Sequence, residues 1–94
     1  MRKVLRFEEK VKRIGRLVSD MLIKKNRSYG NSALSPVRIF SKSSDIEQIY
    51  VRIDDKLSRI KSGSSLGEDT IMDLIGYLFL LKIKMEESDE KRLS

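Results

Sequence analysis

The chain has 94 residues, 36% of them charged and 39% apolar, and carries a net charge of +6 with no histidine, cysteine or tryptophan. That length builds one small core rather than two. The missing residue types exclude a disulfide framework, a Cys/His zinc site, a cysteine nucleophile and any histidine general base, so a metal would need oxygen ligands and catalysis would rest on carboxylates and lysines. The charge is unevenly spread: residues 1–28 hold ten Lys/Arg against three acids, and residues 67–94 hold four against seven. A chain that is basic in front and acidic behind suits an anionic ligand at one end, or head-to-tail contact between subunits.

From about Lys3 to Asn26, Val4, Phe7, Val11, Ile14, Val18 and Met21 recur in steps of three and four, which predicts a helix with a heptad seam. A bundle core uses the same pattern as a coiled coil. Lys3, Arg6, Lys10 and Arg13 run beside the seam as a basic stripe.

Asn26 to Ser44 is rich in Ser, Asn and Gly and holds the single proline, Pro36. Tyr29-Gly30-Asn31-Ser32 has turn chemistry, and Ser35-Pro36 predicts a short helical turn through Phe40. Lys24 to Ser32 gathers cations, one aromatic ring and small hydrogen-bonding side chains: either a plain polar turn, or a place where Tyr29 stacks on a base and Lys25 meets a phosphate. The spacing is not that of a phosphate-binding P-loop.

Ser43 or Ser44 then caps a helix that runs to about Lys61, where Ser62-Gly63-Ser64-Ser65 stops it. Ile49, Ile53, Leu57 and Ile60 form its apolar face. Arg52, Asp55, Lys56 and Arg59 form a neighbouring polar stripe, which reads as an intrahelical salt-bridge ladder, a phosphate clamp, or both.

Glu68 and Asp69 open the last helix, expected to reach roughly Glu86, with residues 87–94 as a frayed charged tail. The run Leu74 to Leu81 is apolar around the whole helix, which predicts a central position or cover by a second subunit, and is too short to span a bilayer. Asp69, Asp73 and Tyr77 share one side of it. The two carboxylates either hold one magnesium ion, or divide into a cap at Asp69 and a counter-ion at Asp73 for an arginine of the preceding helix.

The segments Lys25 to Pro36, Arg52 to Ile60 and Glu68 to Tyr77, taken in order, resemble the nucleotide modification associated domain 1 family of small phage and prophage proteins, over about residues 20–84. The resemblance implies an all-helical domain linked to phage nucleotide metabolism, with Lys25, Tyr29, Asn31, Arg52, Asp55, Lys56, Arg59, Asp69 and Asp73 as shared polar positions. The last motif is also distantly similar to the all-α nucleoside triphosphate pyrophosphohydrolases, which hold magnesium with four acids. Here the first acidic pair is incomplete, since Glu47 is followed by Gln48, Ile49 and Tyr50.

These readings predict one all-α domain over residues 1–94, a bundle of three long helices and one short one completed by homo-oligomerisation. No signal peptide or membrane span is visible, so a cytoplasmic protein is expected, in the host cell if phage-encoded. The expected ligand is a phosphorylated, nucleotide-like small molecule, and in a phage setting the expected role is a sponge that sequesters a host immune signalling nucleotide. Lys25, Arg52, Lys56 and Arg59 hold phosphates, Tyr29 stacks on a base, Asn31 bonds ligand edges, and Asp55 and Asp73 orient the cations. No cofactor is required for this. The alternative is a magnesium-dependent nucleotide pyrophosphohydrolase with Glu47, Asp55, Asp69 and Asp73 as metal ligands. A second alternative is a basic nucleic-acid-binding or interaction module, for which no reading-head motif is present.

Overall fold

The computed structural model describes residues 6–28, 30, 33–35, 39–63 and 69–93, the last three as backbone only. The described chain is all-α: α1 spans Phe7–Ser28, α2 spans Asp45–Ser62 and α3 spans Thr70–Leu93. Local chemistry explains most of these boundaries. The hydroxyl of Ser44 accepts from the Glu47 backbone N–H at 3.1 Å, the N-cap bond that starts α2. Gly63 ends α2 with a left-handed φ of 71° and turns its N–H to the carbonyls of Arg59 and Ile60. Asp69 starts α3, its Oδ1 accepting from the Met72 N–H at 3.0 Å.

Two expectations change. α3 runs to Leu93, past the end expected near Glu86. Lys82 pairs with Glu86 at 3.6 Å and Lys84 with Glu87 at 3.8 Å, so the charges that suggested a loose tail support another turn of helix. The short helix expected over Pro36 to Phe40 falls at 36–38 outside the described residues, while Ile39 and Phe40 form an exposed bend.

α3 is central, packing most extensively against α2 and more locally against α1. This matches the circumferential apolarity of Leu74 to Leu81. The α2–α3 hairpin is held at both ends by ion pairs of opposite sense. Lys56 of α2 reaches Asp73 of α3 at 3.6 Å, and Asp45 of α2 accepts Lys84 of α3 at 3.2 Å.

α1 crosses α3 at Gly76. A Cβ there would lie 2.9 Å from Met21 Cε and 3.2 Å from Leu22 Cδ2, so the missing side chain is what admits the two residues of α1. Val18 of the seam is buried, at 1% exposure. Toward the N-terminus the same seam is bare, with Phe7 80% and Val11 54% exposed. The molecule is correspondingly drawn out, with extents of 55 × 37 × 24 Å and a radius of gyration of 16.0 Å, against about 12 Å for a compact chain of this length. Among the described residues no helix is long and apolar enough to cross a membrane.

Candidate functional site

The crossing of α1 on the hairpin leaves a cavity of about 400 Å³ between the C-terminal end of α1, the first half of α2 and the first half of α3. Each wall follows from a local cause. On α1, Met21 and Leu22 are drawn in by Gly76, which carries Lys25 and Asn26 of the next turn to the rim. Asn26 Oδ1 then accepts the backbone N–H of Ala33 at 2.9 Å, folding the following loop back so that Ala33 lines the cavity as well. On α2, burial of Ile49 fixes the helix rotation and turns Gln48 and Arg52 inward. On α3, Asp73, Tyr77 and Leu80 follow at helical spacing around Gly76.

The electrostatic centre is Asp73, whose side chain is 20% exposed. One carboxylate oxygen meets Lys25 Nζ at 3.3 Å and the other lies 3.6 Å from Lys56 Nζ. Lys56 is itself largely covered and is tied to the cavity wall through Asp73. Arg52 lines the cavity without a hydrogen bond or ion pair among the described residues. Lys25 and Lys56 flank this one carboxylate and Arg52 lines the same cavity, so the group holds two more cations than acids. Gln48 also lines the cavity, with its Nε2 shielded from solvent and without a hydrogen-bond partner, a costly arrangement for an amide nitrogen.

Of the residues expected to bind ligand, Lys25, Arg52 and Asp73 line the cavity, and Lys56 joins them through Asp73. Tyr29 and Asn31 lie outside the described residues. Asp55 and Arg59 do not line the cavity; they pair with each other at 3.3 Å, one turn apart on α2, as in the ladder reading of their stripe. Asp73 is a counter-ion as one reading held, but its partners are two lysines rather than an arginine of α2.

The four acids considered as magnesium ligands are dispersed. Asp69 caps α3, Asp55 holds Arg59, Asp73 holds two lysines, and Glu47 is exposed on the first turn of α2. Among the described residues no group of three or more acids stands closely enough together to hold a metal ion.

Gln48 was missing from the sequence reading, yet it stands one turn before Arg52 and two before Lys56 on the same face. That spacing was the available signal. Gly76 gave no such signal, because a glycine inside an apolar helix does not reveal which side chain replaces its own.

The class of protein defined here is a small all-α bundle with a cation-rimmed cavity. No protein-family model matches the chain, and no curated protein or solved structure matches it.

Proposed function

We propose that the chain binds a phosphorylated, nucleotide-like small molecule in this cavity and does not turn it over. The observation that carries the reading is the composition of the walls. Arg52 and Lys25 supply phosphate donors on the rim, with Lys56 behind them on Asp73, while Met21, Leu22, Ile49 and Leu80 supply an apolar interior beside Tyr77. Its volume falls in the range of small-ligand sites, roughly 300–1,000 Å³. A guanidinium offers two parallel donors to a phosphate, and Arg52 has no competing protein partner among the described residues. With Asp73 engaged by two lysines and Asp69 capping α3, binding without hydrolysis is the more economical chemistry. In a phage, such binding would serve to sequester a host signalling nucleotide.

Calorimetric titration with nucleoside mono-, di- and triphosphates and cyclic dinucleotides tests this, with chromatography of the ligand afterwards. At least one member of the panel should bind and be recovered intact in the presence of magnesium. Arg52→Ala should weaken binding about tenfold or more, from loss of a charge-assisted contact of about 1.5–3 kcal/mol. Asp73→Asn should preserve or tighten it by making the site more positive. Turnover that disappears in Asp73→Asn would transfer the site to the hydrolase class.

A further inference from the structure

The uncovered half of α1 has a counterpart elsewhere on the molecule. Phe7, Val11 and Ile14 continue the seam that Val18 and Met21 bury, and Leu17 is exposed alongside. Arg6, Lys10 and Arg13 flank the same stretch. Beyond the crossing at Gly76, α3 also carries exposed apolar side chains, Leu78, Phe79, Ile83 and Met85. The next turns of that surface are acidic. Phe79, Ile83, Glu86 and Glu90 fall on one stripe at helical spacing, with Leu78, Met85 and Asp89 on the adjoining one.

The two faces match in order as well as in kind. On α1 Arg6, Lys10 and Arg13 alternate with Phe7, Val11 and Ile14, with Glu8 and Glu9 also in the first turn, and Leu17 follows. On α3 the apolar residues come first and the acids toward the C-terminus. Laid antiparallel, Arg6 and Lys10 meet the Glu86 to Glu90 turns while Ile14 and Leu17 meet Leu78 and Phe79. Two α1 faces laid against each other would instead bring basic flanks together. Within one chain α1 and α3 touch around Gly76 and Asp73, and both faces remain bare beyond that point.

We propose that the occupant of each face is a second copy of this chain: the N-terminal half of α1 in one protomer packs antiparallel on the C-terminal half of α3 in the other, and reciprocally. Reciprocity closes the assembly as a two-fold dimer with two equivalent contacts. This contact lies outside the cavity and does not depend on what the cavity binds.

Sedimentation of the full chain over a range of concentrations tests it, with circular dichroism to check that each variant remains helical. The native chain should dimerise. Glu86→Lys with Glu90→Lys should weaken the dimer at least tenfold, Arg6→Glu with Lys10→Glu should do the same, and the four changes together should restore most of the lost affinity. The chain has no cysteine, so single variants Ile14→Cys and Phe79→Cys can also be mixed with a short bismaleimide. The mixture should give a mixed covalent dimer that neither variant forms efficiently alone. A chain that stays monomeric at high micromolar concentration overturns the proposal. So does a dimer indifferent to the Glu86 and Glu90 reversals, or one that Ile14→Cys alone cross-links efficiently, since both mark an α1 to α1 contact.

Discussion

The α2–α3 hairpin and α1 are joined to the same molecule in different ways. The hairpin has a capped start and a left-handed glycine stop on α2, a capped start on α3, and an ion pair near each end. α1 is attached at one crossing, where Gly76 makes room for Met21 and Leu22 and where Asp73 reaches Lys25. A helix held at one crossing leaves a cavity on one side and a bare arm on the other. Both candidate interaction surfaces of this protein come from that single asymmetry.

The comparison is broken most severely at Gly76. Gly76→Val places a branched side chain against Met21 and Leu22, with an expected cost of about 2 kcal/mol and a fall in Tm of roughly 10 °C. Hydrogen exchange should then show α1 amides losing protection while those of α2 and α3 keep theirs, and ligand binding should fall with the cavity wall. Gly76→Ala should be far milder, because its close contacts are the ends of flexible side chains and alanine favours helix. Equal loss of protection across all three helices would mean that the hairpin does not stand without α1.

The two halves of the seam sharpen the contrast. Val18→Ala should cost about 1.5 kcal/mol by denaturant unfolding, whereas Val11→Ala should cost under about 0.5 kcal/mol when measured at protein concentrations too low for dimerisation. Asp73→Asn should cost about 1 kcal/mol. The covered Lys56 loses its counter-ion there, whereas the pair with Lys25 is half open to water and contributes little. The smallest effect is expected at Asp55→Ala, within about 0.5 kcal/mol, since its pairing with Arg59 is an exposed pair one turn apart. A loss of more than 1 kcal/mol there, read from the same unfolding curves, would mean that the Asp55–Arg59 pair braces more than its own helix.

What was legible in the sequence was the chemistry that acts locally. Ser44, Gly63 and Asp69 announce their roles because a cap bond or a left-handed φ involves only a few neighbouring residues. The three helices and the central place of α3 were legible for a related reason, since periodicity records which side of a helix meets other apolar groups. It does not record how far along the helix that cover extends, so Phe7 and Val18 look equivalent in the pattern and differ completely in burial. The site was legible as a class, cations on the α2 stripe and at the end of α1. Its membership was not: Arg59 and Arg52 are the same residue type on one helix, and only the rotation set by Ile49 and the crossing at Gly76 brings one to the cavity and leaves the other with Asp55. The acidic tail misled because its composition suggests solvation, while the i, i+4 and i, i+3 order of its charges supports helix.

The two ion pairs of the hairpin act together as an alignment key. The cation belongs to α2 at one end and to α3 at the other. Sliding one helix by a single turn moves both pairs apart by about 5.4 Å in the same step, so a misaligned hairpin forfeits both contacts at once. The consequence reaches into how this sequence can drift. Positions 45 and 84, and positions 56 and 73, are tied in sign, and a charge change at one member is compatible with this pairing only when its partner changes to match.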